Sequence, residues 1–254
     1  MRIDSPIVIN VPHSSLYIPE EEMQYFDRTK LIRELLVMTD HCCDDLYDAG
    51  FDMVRFPVSR LVCDFERFRD DEEEIMSGKG MGAVYTHASD LCLLRKVSKE
   101  HRERILRRYY DPYHKMLEDI VTTKLNLQGK CLIVDGHSFY EEPLPYENEQ
   151  HPDRAGICIG ADEYHTPEDM IRLLRTHFKE LGYSVAVNNP FAGALVPIRY
   201  YHHNKCVFSV MIEINRRLYI DREGRIKPSY SKVKADIVKA MELLNEYMEG
   251  EILL

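Results

Sequence analysis

The segment Cys131-Leu132-Ile133-Val134-Asp135-Gly136-His137-Ser138 is the clearest indication of the fold, because a short apolar run is followed at once by polar residues. Gly129 and Gly136 bound this run, and a short continuous apolar segment is typical of a strand that is buried on both faces. A similar arrangement occurs near the N-terminus, where the segment Ile7-Val8-Ile9-Asn10-Val11-Pro12 ends at His13. We therefore predict two buried strands, each of which delivers a histidine at its carboxyl end.

Strands and helices are predicted to alternate along the rest of the chain. Apolar periodicity and glycine or proline boundaries place further strands at 51–58, 183–187 and 208–214, and helices at 28–49, 98–125, 167–181 and 231–248. Pro112 should kink or split the second of these helices. The alternation predicts an α/β fold, a three-layer sandwich with a mixed, largely parallel central sheet. Without an internal repeat or a linker-like segment, residues 1–254 are predicted to form a single domain.

Composition and charge narrow the class of protein. The chain has 254 residues, 44% hydrophobic and 30% charged, which is typical of a soluble globular protein. Its formal net charge of −10 disfavours binding to a nucleic-acid backbone. No apolar run approaches the ~20 residues of a membrane span, and no signal-peptide core is recognisable, so we expect a cytoplasmic protein with no membrane partner. The sequence leaves the oligomeric state open.

Cysteine usage also points to the cytosol. The chain has seven cysteines and no Cys-x-x-Cys pair. An odd number without that spacing is typical of reduced, mostly buried thiols, and it argues against a disulfide frame or a cysteine-based zinc site.

Three predicted strands carry side chains that can bind metal or protons at or near their ends. They deliver His13, His137 and Glu213, and the carboxyl ends of parallel strands gather ligands at one edge of the sheet. A catalytic zinc takes three protein ligands from histidine and carboxylate and keeps one position for water. Each residue alone has an ordinary explanation: His13 as a loop residue, His137 as part of an Asp-Gly-His turn, and Glu213 as a residue of an exposed edge strand, on the face opposite Ile212 and Ile214. Their coincidence favours a metal site.

The segment from Ser59 to Arg67 adds two arginines and an aspartate. The guanidinium groups of Arg60 and Arg67 are suited to bidentate binding of a carboxylate. The ordinary explanation is ion pairing at the surface, which contributes little to stability. Both explanations remain open from these residues alone.

Six motifs together resemble the N-formylglutamate amidohydrolases, in that family's order and from about residue 7 to residue 221. They are Val11-Pro12-His13-Ser14-Ser15, Thr39-Asp40-(x3)-Asp44-Asp45-Leu46-Tyr47, Ser59-Arg60-(x3)-Asp64-Phe65-Glu66-Arg67, Asp135-Gly136-His137-Ser138, Asn189-Pro190-Phe191-Ala192-Gly193-Ala194 and Ile212-Glu213-Ile214-Asn215-Arg216-Arg217-Leu218-Tyr219. The resemblance implies a fold related to the zinc carboxypeptidases. It also implies hydrolysis of the linear amide of an N-formyl or N-acyl amino acid of the N-formylglutamate type, which releases formate and the free amino acid.

The resemblance further implies that the histidines of the first and fourth motifs bind zinc, although sites of this kind suit several divalent ions. The third ligand is less clear, because carboxypeptidase-like sites use His-x-x-Glu and this chain has Leu16 at that position. Asp40 is the preferred acid, and Asp44 and Glu20 remain alternatives. The predicted ligands are His13, Asp40 and His137.

The remaining motif residues are assigned by the same resemblance. Glu213 is predicted to be the catalytic base, and Asp135 to orient the neighbouring histidine. Gly193 is predicted to allow a close approach of the backbone. The predicted substrate-binding residues are Arg60, Arg67, Asn189, Gly193 and Arg216.

One departure concerns the substrate. The family commonly has Asp-Leu-Asn-Arg where this chain has Asp64-Phe65-Glu66-Arg67. Glu66 places a negative charge beside the expected carboxylate-binding arginine, which weakens the case for a dianionic substrate. The alternatives are a carboxypeptidase-like peptidase, another N-acyl amino acid amidohydrolase, and a non-catalytic ligand-binding relative.

Overall fold

Six strands form one sheet in the computed structural model, which describes residues 4–250. The strands lie in the order β2-β1-β3-β6-β4-β5. All neighbouring pairs are parallel except β4 and β6, which are antiparallel. The predicted mixed, largely parallel sheet is therefore confirmed. The strands are β1 Ile7–Val11, β2 Asp52–Arg55, β3 Cys131–Phe139, β4 Ile157–Gly160, β5 Val185–Val187 and β6 Val207–Asn215.

Helices cover both faces of this sheet. They are α1 Glu20–Met23, α2 Arg28–Met38, α3 Cys43–Leu46, α4 Lys99–Ile105, α5 Asp111–Gln128, α6 Glu168–Glu180 and α7 Tyr230–Glu249. Short 3-10 turns lie at Ile75–Lys79 and Arg216–Leu218. A π-helical turn, Leu106–Tyr110, separates α4 from α5, so the predicted interruption of this helix falls just before Pro112.

The alternation of side chains along each strand fills two hydrophobic cores. In β3, Ile133 packs on the side of α5, with Leu117 in the same cluster. Its neighbours Leu132 and Val134 point to the opposite side, where Ile237 of α7 packs. Successive residues of a strand face opposite sides of a sheet, so continuous apolar runs serve both cores at once. These two cores give the predicted three-layer sandwich.

Two strands extend further than their apolar runs. Strand β3 continues beyond its apolar run and includes Asp135 and His137, which are both buried. Strand β6 in the same way includes the buried Glu213. The interpretation of Asp-Gly-His as a turn is wrong. A β-carbon on Gly136 would lie 2.9 Å from the ring of Tyr47, so the glycine serves a close contact inside the strand. Strand β6 lies between β3 and β4, so the edge-strand explanation of Glu213 is also wrong.

The helix predicted over 28–49 is interrupted. Helix α2 ends at Met38, Thr39 is extended with a ψ of 137°, and Cys42 has a φ of 63° before α3 begins. The backbone N–H of Asp40 donates a 2.9 Å hydrogen bond to the carbonyl oxygen of His13. This contact between distant parts of the chain takes the place of a helical hydrogen bond and carries the Asp40 side chain to the end of β1.

Within residues 4–250, no helix is both long enough and apolar enough to cross a membrane.

Candidate active site

A cavity of about 310 Å³ opens at the carboxyl ends of β1, β3 and β6. His137 and Glu213 are register partners on adjacent parallel strands, so their side chains lie next to each other on one face of the sheet. His13, which follows β1, lines the same cavity. The structure thus brings the three residues predicted from strand ends to one place. Other predicted residues that line it are Asp40, Arg60, Arg67 and Arg216.

The two histidines form a buried pair with ring centroids 5.1 Å apart. Each has an aspartate beside its Nε2 atom: Asp64 Oδ1 lies 2.9 Å from that of His13, and Asp135 Oδ1 lies 3.2 Å from that of His137. Asn10 in turn donates from Nδ2 to Asp135 Oδ1 over 2.7 Å. Carboxylates in this position fix the orientation of an imidazole that binds metal through its other nitrogen.

Asp40 faces the other nitrogen of both rings. Its Oδ2 atom lies 3.1 Å from Nδ1 of His137 and 3.8 Å from Nδ1 of His13. Its Oδ1 atom accepts a 3.0 Å hydrogen bond from Arg216 Nη2. The break between α2 and α3 therefore places one carboxylate against the Nδ1 atoms of both histidines.

Glu66 is a second carboxylate between the histidines, and sequence reasoning did not assign it to the site's chemistry. Its Oε2 atom lies 3.6 Å from Nε2 of His13 and 3.3 Å from Nε2 of His137. Among the described residues, these three form the group that could hold a metal ion, with ligand atoms within 4.8 Å of one another. The available signal was the carboxylate at a position where the family has an amide. The alternatives Asp44, which is half-buried, and Glu20, which is exposed, lie outside this group.

Burial shifts His13, Glu66 and Glu213 toward their neutral forms, whereas for His137 the charges of Glu66 and Asp135 outweigh burial and raise the pKa of the ring well above its usual value. Burial lowers the pKa of His13 to about 4, with a contribution from nearby Arg60. It raises the pKa of Glu66 and of Glu213 to about 8, and the Asp135 carboxylate adds to the shift of Glu66. At neutral pH the His13 ring is therefore uncharged, which is the form that binds a metal.

Asp40 behaves differently from these two glutamates. Burial alone would raise its pKa, but the hydrogen bond from His137 and the charge of Arg216 hold the pKa of Asp40 well below its usual range. This carboxylate stays ionised at neutral pH. Carboxylates must be deprotonated to bind metal, so Asp40 is in the required form.

Several buried polar atoms of the site have no hydrogen-bond partner within the described residues: His13 Nδ1, His137 Nε2, Glu66 Oε1 and Glu213 Oε2. Buried polar atoms are rarely left unpaired, and such exceptions are typical of sites that bind an ion or a ligand. The donor set of imidazole and carboxylate fits a divalent first-row ion.

The three arginines of the cavity differ in what they already bind. Arg60 donates from Nη2 to Asp64 Oδ2 over 2.8 Å, and Arg67 lies with Nε 3.9 Å from the same oxygen. The Nε atoms of both are buried and lack a hydrogen-bond acceptor among residues 4–250. Every nitrogen of Arg216, in contrast, donates to a protein oxygen, on Val37, Asp40 or Ser138. Arg60 and Arg67 are therefore the guanidinium groups left to receive a carboxylate.

The predicted pocket residues Asn189 and Gly193 lie beside the cavity. The segment between them, Pro190 to Ala192, lines it, whereas Asn189 lines a separate depression with Arg154. Gly193 has a φ of +89°, and a β-carbon there would meet no atom within 4 Å. The positive φ is a backbone conformation that favours glycine, and the close approach at Gly193 stays a prediction.

Asp64 joins the loop of residues 59–67 to the histidine pair. It is fully buried, and besides His13 and Arg60 it accepts a 2.8 Å hydrogen bond from the Tyr85 hydroxyl and a 3.1 Å bond from the N–H of Glu66. These four contacts use both carboxylate oxygens. Asp64 therefore fixes the positions of the loop and of the imidazole together.

Arg95 holds the same loop from behind. Its side chain is fully buried and donates to the carbonyl oxygens of Leu61, Val62 and Tyr85 over 2.8–2.9 Å. A 3.2 Å ion pair with Glu22 balances its charge. One guanidinium group thus satisfies three backbone carbonyls and one carboxylate, all on buried residues.

We expect Arg95→Ala to lower the free energy of unfolding by about 3–5 kcal/mol, because it breaks the buried ion pair with Glu22, which keeps its contact with His101, and leaves three buried carbonyl oxygens without their donor. The matched control is Arg33→Ala, which removes an exposed arginine paired with Asp90 at 3.0 Å and should cost about 0–1 kcal/mol. Urea denaturation followed by circular dichroism measures both. Equal losses in the two variants would contradict the part assigned to Arg95.

The fold and the site together define a three-layer α/β protein with an enzyme-like centre of histidines and carboxylates. The sequence profile of the family described as N-formylglutamate amidohydrolase matches residues 5–220. The chain belongs to this family of amidohydrolases, and the resemblance seen in the six motifs is confirmed.

Solved structures give the same fold. The N-formylglutamate amidohydrolase from Ralstonia eutropha JMP134 superposes with a TM-score of 0.84 at 21% identity, over 98% of this chain and 95% of that one. A gene product from Agrobacterium tumefaciens superposes with a TM-score of 0.68 at 16% identity, over 94% of this chain and 92% of that one. No curated protein gives a significant match.

Proposed function

We propose that the protein is a metal-dependent amidohydrolase that cleaves the amide of an N-formyl or N-acyl amino acid and releases the acid and the free amino acid. The observation that carries the proposal is the buried pair of histidines, His13 and His137, each with an aspartate beside its Nε2 atom and the Asp40 carboxylate facing its Nδ1 atom. Membership of the family supports the amide bond as the target.

We assign the metal to His13 Nδ1, His137 Nδ1 and Asp40 Oδ2. Ligand atoms of a tetrahedral zinc stand about 3.3 Å apart, given bonds of about 2.0–2.1 Å. Asp40 Oδ2 lies 3.8 and 3.1 Å from the two Nδ1 atoms, whereas the group of described residues whose ligand atoms all lie within 4.8 Å of one another contains Glu66 in place of Asp40. The Nε2 atoms would then donate to Asp64 and Asp135, the usual outer partners of metal-bound histidine.

Glu66 is the competing third ligand, since its oxygen has similar separations from the two Nε2 atoms. That arrangement requires His13 to give up its 2.9 Å contact with Asp64. It would also leave the Nδ1 atom of His13, buried and without a hydrogen bond in the described part of the chain, still unpaired. For these reasons we prefer Asp40.

Each group in the cavity then has a separate role in the reaction. A divalent ion, when bound, polarises the amide carbonyl and acidifies the attacking water. Glu213 accepts the proton of that water and passes it to the leaving nitrogen. The buried Nε atoms of Arg60 and Arg67 bind the carboxylate of the amino acid and hold the scissile bond near Glu213.

Cysteine chemistry supports a reducing compartment for this enzyme. All seven cysteines are free, which is typical of cytoplasmic proteins. We place the protein in the cytoplasm on this ground.

The test of the proposed function combines metal content with activity. We expect the purified protein to contain close to one zinc or similar divalent ion, and to hydrolyse N-formyl amino acids. A chelator should abolish hydrolysis, and zinc should restore it. Hydrolysis of C-terminal peptide bonds in place of formyl amides would favour a peptidase. A metal-free protein without activity after zinc addition would indicate a non-catalytic relative.

A further inference from the structure

We infer that the cavity selects a substrate with a single carboxylate and an apolar remainder over a dicarboxylate such as N-formylglutamate. This inference rests on the proposed hydrolysis of N-formyl or N-acyl amino acids and specifies the amino acid. It follows from the distribution of cations, acids and apolar side chains around the cavity.

The cations available for binding provide one carboxylate site. Arg60 and Arg67 both approach the same oxygen of Asp64, at 2.8 and 3.9 Å, so their guanidinium groups converge. Their buried Nε atoms lack acceptors within residues 4–250. Two adjacent donors on one loop suit one carboxylate group, and that group is common to all N-acyl amino acids.

The third arginine is already engaged. The side chain of Arg216 is 7% exposed, and its Nη2 atom donates to Asp40 Oδ1 over 3.0 Å. Its Nε atom donates to the Ser138 hydroxyl, and its Nη1 atom donates to the carbonyl oxygen of Val37. Moving it to a substrate would leave the Asp40 carboxylate without its cation. We therefore exclude Arg216 as the site for a second carboxylate.

Among the described residues, the rest of the cavity wall carries no further arginine or lysine. A carboxylate placed against an apolar wall loses its hydration without gaining a partner, which is strongly unfavourable. An apolar side chain placed there gains by leaving water. The apolar part of the wall comprises Val37, Met38, Phe139, Leu144, Phe191 and Met211.

One acidic side chain strengthens this preference. Glu147 lines the cavity with a side chain that is 6% exposed, and it pairs with Arg154. The guanidinium carbon of Arg154 lies 5.8 and 5.7 Å from the ring centroids of Phe139 and Phe191, so this cation stands by the aromatic wall and is bound to an acid. Glu147 thus neutralises that cation and repels a second carboxylate.

The experiment compares kcat/KM for N-formyl-L-glutamate, N-formyl-L-glutamine and N-formyl-L-methionine on the zinc-loaded enzyme. The first two differ in charge but hardly in shape. We expect glutamine to exceed glutamate by at least about tenfold, because only glutamate must bury an unpaired charge, and methionine to exceed both. Equal or higher kcat/KM for glutamate would overturn the inference. Hydrolysis of none of the three would remove the proposed function, and the inference with it.

A variant tests the origin of the selection. Glu147→Gln removes the repelling charge and releases Arg154, so the ratio of glutamine to glutamate kcat/KM should fall several-fold. The control is Glu142→Gln in the same loop, where the side chain is 59% exposed and pairs with Arg222; it should leave the ratio unchanged. A ratio that stays the same in Glu147→Gln, in a variant of normal thermal stability, would contradict the part assigned to Glu147.

Discussion

Replacing Glu213 with glutamine is expected to lower kcat by about 10²- to 10⁴-fold, the usual contribution of a general base, while metal content and fold are kept. Glu213 lies beside His137 in the sheet register, and its Oε2 atom is buried without a hydrogen-bond partner in the described residues. Glutamine keeps the size of the side chain but cannot accept the proton. Burial raises the pKa of Glu213 to about 8, so the ionised form that can accept a proton increases as the pH rises toward 8.

The measurements are steady-state kinetics on an N-formyl amino acid, zinc by elemental analysis, and the melting temperature. The control is Glu100→Gln, which alters an exposed glutamate of α4 and should change none of the three. Loss of zinc in Glu213→Gln would identify Glu213 as a ligand. Retention of both zinc and full turnover would show that the proton is accepted elsewhere.

The sheet was predictable because burial on both faces leaves a strong signal in the sequence. Strands β1, β3 and β6 lie in the interior of the sheet, and their continuous apolar runs serve two cores. The polar residues that follow these runs could therefore be identified as candidate catalytic or metal-binding residues. What the runs did not reveal is where each strand ends. Asp135 and His137 look like the start of a loop, but hydrogen bonding to β1 and β6 keeps this segment extended.

Short elements and tertiary breaks were not predictable from local patterns. Strand β4 has four residues, Ile157–Gly160, and exists because it pairs with β6 in the antiparallel direction. The helical periodicity of residues 28–49 continues through Thr39, yet the backbone of Asp40 binds the carbonyl oxygen of His13 instead. Interactions between residues far apart in sequence override helix propensity at such points.

The position of Glu66 depends on contacts of the same long-range kind. Sequence alone placed it beside an arginine in a charged segment. In the structure, the loop that carries it is held by Asp64, by the Tyr85 hydroxyl, and by Arg95 across more than twenty residues of chain. The candidate residues at strand ends could thus be predicted, and the position of the loop beside them could not.

The largest effect on metal binding is expected from Asp40→Asn, which converts the proposed third ligand into a neutral amide of the same shape. Loss of an outer partner of a metal site weakens binding by about 10- to 100-fold, and loss of a direct ligand should exceed this, so we expect the zinc Kd to rise by more than ~100-fold. Isothermal titration of the metal-free protein with zinc measures it. The control is Asp44→Asn, a half-buried acid of α3 outside the cavity, which should bind zinc as the native protein does.

Glu66→Gln decides between the two carboxylates that face the histidine pair. If the metal lies against the Nδ1 atoms and Asp40, this variant keeps its zinc affinity to within about tenfold, less than the loss of a ligand. It should change kcat/KM among substrates, because Glu66 is next to Arg67 in the loop that receives the carboxylate. The reverse result, with zinc lost in Glu66→Gln and retained in Asp40→Asn, would place the ion between the Nε2 atoms, 3.6 and 3.3 Å from the Glu66 oxygen. The carboxylates of Asp64 and Asp135 would then have to move away from the Nε2 atoms of the histidines. Replacing Asp64 or Asp135 with asparagine should in that case not weaken zinc binding.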